Sequence, residues 1–185
     1  MAERSVVTLA NRLRDGREWR DIRGLCYAAP ADSGGLPADA IALPAYDDVS
    51  ADIESGRAAF LEMFRLFAAH QDPLTARPLT QRVDTRCLVH NPPDLPLSQA
   101  ELDAAYAQRF MLEAHPCHAK KGQVRALDTV RFSITSHRGC YGECNFCAIA
   151  MHQGRRVVSR SEEAIVEEVR RIVRHPAFRG IIQDV

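Results

Sequence analysis

The segment Cys140-Tyr141-Gly142-Glu143-Cys144-Asn145-Phe146-Cys147 places three cysteines within eight residues, in the pattern C-x3-C-x2-C. Glycines at positions 139 and 142 permit tight backbone turns around them. Three thiolates on one short loop can converge on a single metal centre. Each iron of a 4Fe-4S cube takes one external ligand, so three such thiolates leave the fourth iron open. The spacing therefore predicts an iron-sulfur site with Cys140, Cys144 and Cys147 as its metal ligands.

The sequence on either side of this cysteine loop alternates between strand and helix patterns. Val130 to Ile134 alternates apolar and polar residues like a strand. Ser159 with Glu162 forms a capping-box pattern before a helical apolar stripe. The stripe consists of Ile165, Val169, Ile172 and Val173. Residues 180–185 resemble a second strand, so the order strand, loop, helix, strand predicts an α/β fold with a parallel sheet.

The upstream part of the chain is expected to be mainly helical and proline-rich. Helices are predicted over residues 3–15, 52–69 and 98–112, the last with a capping box of Ser98 and Glu101. Short strands are predicted at 22–29 and 87–89, and prolines favour extended backbone over 71–96. The second helix carries an apolar stripe that is expected to lie in the core. Its members are Ile53, Phe60, Met63, Phe64 and Phe67.

Composition excludes several classes of function. The chain has 185 residues with 24 Lys+Arg against 24 Asp+Glu, so net charge favours neither nucleic acid nor an anionic membrane as a partner. Its apolar runs are far shorter than the ~20 residues that a spanning helix needs. The first residues lack the apolar core of a secretory signal, which predicts a reducing, cytoplasmic location. In such a compartment, the six cysteines are better suited to metal binding or catalysis than to disulfides.

Other interpretations of the cysteine loop remain open. A structural zinc site, or a structural cluster in an interaction module without catalysis, would need a fourth ligand such as Cys117, His137 or His152. A cluster used only for electron transfer would also need a fourth thiolate, and no cysteine follows Cys147. Three arginines after the loop could bind a carboxylate or phosphate, or could form a solvated basic face. They are Arg155, Arg156 and Arg160, and no residue is assigned a catalytic role.

The cysteine motif resembles that of the radical S-adenosylmethionine (radical SAM) superfamily, including the aromatic residue before the third cysteine. The resemblance implies that the three cysteines bind a 4Fe-4S cluster and that the amino and carboxylate groups of S-adenosylmethionine chelate the open iron. One-electron reduction, from a donor such as flavodoxin or ferredoxin, then yields methionine and a 5'-deoxyadenosyl radical that abstracts hydrogen from a substrate. Phe146 occupies the position that lies beside the adenine. The substrate is not indicated.

A narrower resemblance is to the YgiQ family of radical SAM proteins, and it extends from about Gln81 onward and, more loosely, to the first helix. It rests on Asn91-Pro92-Pro93, Pro96-Leu97-Ser98, His115-Pro116, Arg131-Phe132-Ser133, Arg138-Gly139-Cys140, 147–152, Gly154-Arg155, Ser159-Arg160-Ser161 and 180–184. This resemblance implies an N-terminal and linker region over residues 1–118. Residues 119–185 would then begin the radical SAM core, which is a partial (β/α) barrel.

The same resemblance bears on how complete the chain is. Full-length members are several times longer, with an N-terminal domain resembling cobalamin-binding Rossmann folds and a longer barrel. The glycine-rich turn that helps to hold the cofactor's amino group would begin just after Val185. The chain is therefore expected to be an incomplete fragment that lacks turnover by itself.

Overall fold

The computed structural model describes residues 2–31, 34–118, 120, 122–142, 144 and 146–185. The chain divides into two compact units, Met1–Leu95 and Pro96–Val185. The domain boundary predicted between residues 118 and 119 lies inside the second unit. As a division of the family's domains, that boundary stays a prediction.

The first unit is built on a four-stranded mixed sheet. Its strands are β1 (Cys26–Pro30), β2 (Ile41–Leu43), β3 (Leu79–Val83) and β4 (Arg86–His90). Their order is β1-β4-β3-β2, with β2 parallel to β3 and the other neighbours antiparallel. The prediction of a mainly helical region missed this sheet. Two of its strands were not predicted. Strand β2 has only three residues, and β3 lies within the proline-rich stretch 71–96.

Three helices accompany the sheet: α1 (Glu3–Arg14), α2 (Tyr46–Val49) and α3 (Ile53–Ala69). The helices predicted over residues 3–15 and 52–69 are confirmed. The Asp52 carboxylate caps α3 by accepting hydrogen bonds from the backbone amides of Glu54 and Ser55. Because α2 and α3 lie between parallel strands β2 and β3 in the chain, they form the crossover that such strands require.

The predicted core position of the α3 stripe is only partly right. Ile53 is 89% exposed, and Phe60 and Phe64 are each half exposed. Phe67 makes an edge-on contact with the His90 ring, with 6.0 Å between ring centroids. The buried core of this unit instead contains Tyr27, Ala29 and Val89, packed by Trp19 and Leu36.

The described residues of the second unit form four helices and one short two-stranded pair. The helices are α4 (Gln99–Tyr106), α5 (Leu127–Val130), α6 (Ile149–Gln153) and α7 (Glu162–Val173), and Pro116–His118 forms a 3-10 turn. The pair is β5 (His137–Arg138) with β6 (Val158–Ser159), antiparallel. The Ser98–Glu101 capping box is confirmed, although α4 ends at Tyr106 rather than near residue 112. No helix of the described residues is long and apolar enough to cross a membrane.

The two strands predicted around the cysteine loop are not formed as regular strands. Val130 ends helix α5, and residues 132–134 and 181–185 are in neither helix nor strand. These segments are nevertheless neighbours, because Gln183 N donates to Phe132 O at 3.4 Å and Ile134 N donates to Asp184 O at 2.9 Å. The architecture is α/β, as predicted.

Helix α7 supplies much of the core of this unit. Phe132, Ile134 and Ile172 are each at least 92% buried and pack together. Ile165 and Val169 add to the same cluster, together with Phe178 and Ile182. Three members of the predicted stripe therefore face the core, whereas Val173 is half exposed.

The N-cap of α7 is Ser161, not Ser159 as the capping-box pattern predicted. The Ser161 hydroxyl accepts from the backbone N–H of Ala164 at 3.2 Å, and Ser159 lies in β6. We expect Ser161→Ala to lower the free energy of unfolding by about 1 kcal/mol, because the Ala164 amide loses its partner. Urea denaturation of this variant beside Ser159→Ala tests the assignment. A larger loss of unfolding free energy in Ser159→Ala than in Ser161→Ala would show that Ser159 is the N-cap, as the sequence pattern predicted.

Candidate metal centre

The loop that carries the three cysteines is closed at its base by β5 and β6. His137 pairs with Ser159 and Arg138 pairs with Val158. A further backbone hydrogen bond, from Arg160 N to Ser136 O at 2.9 Å, continues this pairing. The two ends of the 139–157 segment are therefore held together.

At the base of the loop, the backbone of Gly139 passes close to the backbone of Arg156. Gly139 has φ +95°, and a Cβ built there would lie 2.0 Å from the Arg156 carbonyl oxygen. The Gly139 amide donates to Gln153 Oε1 at 3.1 Å, and the next amide, of Cys140, donates to Gly154 O at 3.0 Å. A residue without a side chain is needed here because both the conformation and the space exclude a Cβ.

Two of the three thiols flank a second glycine. A Cβ at Gly142 would lie 3.2 Å from Cys140 Sγ and 3.9 Å from Cys144 Sγ. The Gly142 amide points to the first of these sulfurs at 3.4 Å, and Cys147 N donates to Cys144 O at 3.0 Å. A side chain at Gly142 would fill the space between the two sulfurs. Soft thiol donors of this kind are the ligands that iron-sulfur clusters take.

All six cysteines are free thiols. Cys140 and Cys147 are half-buried, and Cys144 is exposed. Among the described residues, no three His, Cys, Asp or Glu side chains are close enough to hold a metal ion together. Two residues of the loop, Glu143 and Asn145, lie outside the described part of the chain.

The candidate fourth ligands for zinc lie on different elements. Cys117 is exposed in the 3-10 turn, and its backbone N–H donates to His115 Nδ1 at 3.2 Å. His137 is in β5 with Nδ1 at 3.1 Å from Ser136 Oγ, and His152 is exposed in α6.

The aromatic side chains of the loop face solvent. Phe146 is 93% exposed and Tyr141 is 85% exposed. An exposed ring of this kind offers a flat apolar surface for a planar ligand. The predicted role of Phe146 beside an adenine stays a prediction.

The three arginines after the loop differ from one another. Arg155 and Arg156 are exposed, whereas the Arg160 side chain is 1% exposed. Arg160 donates to Glu168 Oε2 at 2.5 Å and to the backbone oxygens of Thr135 (3.0 Å) and Ala164 (3.3 Å). The solvated face is therefore wrong for Arg160, and the carboxylate that it binds belongs to Glu168 of the same unit. Its guanidinium forms hydrogen bonds within the second unit.

The sequence analysis missed two residues of helix α4 that contact this region. Tyr106 lies beneath the guanidinium groups of Arg138 and Arg160, and Asp103 accepts from the backbone N–H of Ser161 at 3.1 Å. Both residues precede the cysteines by more than thirty positions. No local pattern in the sequence links them to the loop.

Comparisons with known proteins agree with the resemblance drawn from the cysteine motif. Residues 1–133 match the family described as "Radical SAM N-terminal". The UPF0313 protein of Fusobacterium nucleatum is 46% identical over 185 residues, which are 100% of this chain and 31% of that protein. The UPF0313 proteins of Methanocella arvoryzae and Thermotoga maritima are 44% and 42% identical over 188 residues, again across the whole chain and 30% and 32% of those proteins.

The chain therefore spans about a third of the length of these curated relatives. The similarity to these relatives covers the whole chain, including the first helix, where the resemblance was expected to be looser. No solved structure matches the chain. With its family model matched over residues 1–133 and relatives similar along its entire length, the chain belongs to the radical SAM N-terminal family.

Proposed function

We propose that this chain carries the cluster-binding loop of a radical SAM enzyme, with Cys140, Cys144 and Cys147 as the protein ligands of a 4Fe-4S cluster. The observation that carries the proposal is the loop itself. Three free thiols lie in a C-x3-C-x2-C segment whose base is closed by β5 and β6, and two of them flank Gly142. Three protein thiolates leave one iron for the amino and carboxylate groups of S-adenosylmethionine.

The chemistry of such a cluster is one-electron reduction of the bound cofactor to methionine and a 5'-deoxyadenosyl radical. The chain's own residues would bind the cluster and orient the cofactor. The three thiolates fix the cluster, Gly139 allows the two ends of the loop to meet, and the exposed Phe146 ring can stack on adenine. We assign no substrate and no catalytic residue.

The position of the loop supports the beginning of a radical SAM core over residues 119–185. The hydrogen-bonded segments 132–134 and 182–184 run in the same direction, as neighbouring strands of a (β/α) barrel do. The cysteines follow the first of these segments in the chain. In such barrels, ligands bind at the carboxyl ends of the strands, which is the end from which this loop leaves.

The proposal includes a reducing cytoplasmic location and an electron donor such as flavodoxin or ferredoxin. The six free thiols support a reducing environment. The activity, substrate and partners of the full-length relatives are part of the proposal, because the chain spans about a third of their length.

Metal analysis tests the proposal against the structural zinc alternative. We expect anaerobic reconstitution, in the presence of equimolar zinc, to yield about four irons and four sulfides per chain, because a cube with three thiolate corners holds that number. Inductively coupled plasma spectrometry and sulfide determination give these contents. One zinc per chain without iron would instead support a structural metal module.

A further inference from the structure

Tyr106, the last residue of α4, contacts two arginines at the base of the cysteine loop. The Arg138 guanidinium carbon lies 5.1 Å from the centroid of the Tyr106 ring, and that of Arg160 lies 4.7 Å from it. Arg138 Nε also donates to the Tyr106 hydroxyl oxygen at 3.3 Å. Each guanidinium is within the distance at which a cation is attracted to an aromatic face.

The two arginines come from the two ends of the loop. Arg138 is in β5, two positions before Cys140, and Arg160 directly follows β6. The Arg160 side chain is almost fully buried and bonds the backbone oxygens of Thr135 and Ala164. The Tyr106 ring therefore contacts one side chain from β5 and one that directly follows β6.

One face of α4 makes further contacts with the same region. Asp103, one turn before Tyr106, accepts from Ser161 N at 3.1 Å and lies 3.7 Å from Arg160 Nε. Gln99 Nε2, one further turn back, donates to Ser159 O at 3.3 Å. Residues at such spacing share a helix face, so α4 lies along β6 and the start of α7.

We propose that Tyr106 is a positioning residue for the cysteine loop, because its ring holds Arg138 and Arg160 and thereby fixes the base from which the three thiols project. The role in cluster retention rests on the proposed function, whereas the role in fixing the backbone of the base does not. Tyr106 lies within the matched family segment 1–133 and the three cysteines lie outside it. The N-terminal segment would thus order a loop that it does not contain.

The test compares Tyr106→Leu with Tyr106→Phe and with Phe110→Leu in the 185-residue chain. Phe110 is 59% exposed in the same unit, so its replacement is a matched loss of an aromatic ring. Tyr106→Phe keeps the ring and removes the hydroxyl contact with Arg138. Circular dichroism establishes that each variant is folded before the other measurements.

Two measurements report on the loop. Hydrogen exchange at the Cys140 amide, which is bonded to Gly154 O, reports on the base without any metal. The rate at which a chelator removes iron from the reconstituted chain reports on cluster retention. We expect Tyr106→Leu to raise both rates by about threefold to tenfold, the range that loss of a cation–π contact implies. Tyr106→Phe and Phe110→Leu should leave both rates within about twofold of the original.

Equal rates for Tyr106→Leu and Phe110→Leu would overturn the positioning role. If the original chain binds no iron, the proposed function fails, and the exchange of the Cys140 amide alone decides whether Tyr106 fixes the loop. If Tyr106→Leu does not fold, Arg138→Gln removes the same contact from the other side and leaves Arg160 in place. Unchanged exchange in Arg138→Gln would then contradict the proposal.

Discussion

Cys144→Ala is expected to abolish the 4Fe-4S cluster of the reconstituted chain. With only Cys140 and Cys147 left, two corners of the cube lack a protein thiolate, so the cluster is not retained on gel filtration. Iron content should fall from about four to below about one per chain, with loss of the broad visible absorption of the cluster. Because Cys144 is exposed, its replacement should leave the fold unchanged by circular dichroism.

Cys117→Ala is the matched control for this prediction. Cys117 is also an exposed free thiol in the second unit, and it is the cysteine nearest in sequence to the loop outside the motif. It should retain about four irons per chain, since it is not one of the three proposed ligands. Full iron retention by Cys144→Ala, or equal loss in both variants, would contradict the assignment of the ligands.

Gly139→Ala is expected to lower the free energy of unfolding by about 3 kcal/mol or more. An alanine at φ +95° is strained, at a cost of about 1–2 kcal/mol. Its Cβ would also meet the Arg156 carbonyl oxygen at 2.0 Å, which is backbone and cannot turn away. The base of the loop must therefore open, with loss of the Cys140–Gly154 hydrogen bond. Urea denaturation measures the change.

Gly154→Ala separates the two causes of this loss. Gly154 has φ +90°, close to that of Gly139, but a Cβ there would have nothing within 4 Å. Its replacement should carry only the conformational cost, about 1–3 kcal/mol, because φ +90° with ψ 165° is a backbone region almost confined to glycine. If the two alanine variants lose the same stability, the close approach of Gly139 to Arg156 does not contribute.

Several elements could be predicted because their signals are local. Ser98 caps helix α4 with the predicted capping box, which could be recognised because its two partners are three residues apart. The ligand pattern of the loop is equally local, because spacing alone brings three cysteines onto one short segment. Strand β4 contains the predicted 87–89 segment and lies between two neighbouring strands.

Other elements depend on contacts between distant residues. The alternation in 130–134 predicted a strand that is not formed. Phe132 and Ile134 are buried, whereas Val130 is 57% exposed at the end of α5. The apolar face of α3 was expected to be core, but this sheet leaves Phe60 and Phe64 half exposed. A helical stripe indicates which residues share a face and not which neighbour covers it.

One part of the candidate site depends on residues that are far apart in the sequence. It is the contact of the Tyr106 ring with Arg138 and Arg160. From the sequence, Arg160 could bind a carboxylate or phosphate or could belong to a solvated basic face, because it follows the cysteine loop and two other arginines. In the structure it is buried by Tyr106 and paired with Glu168, and each partner comes from a different helix. Such a cluster requires the positions of α4 and α7 relative to β6, and no single stretch of sequence contains that information.

Electron paramagnetic resonance of the reduced, reconstituted chain, with and without S-adenosylmethionine, tests the proposed open iron most directly. We expect a 4Fe-4S signal that shifts on adding the cofactor, because under the proposed function the amino and carboxylate groups of its methionine part would bind the iron that lacks a protein thiolate. 5'-Methylthioadenosine, which lacks both groups, should leave the signal unchanged. A reduced cluster whose signal is the same with and without S-adenosylmethionine would contradict a site-differentiated cluster on Cys140, Cys144 and Cys147.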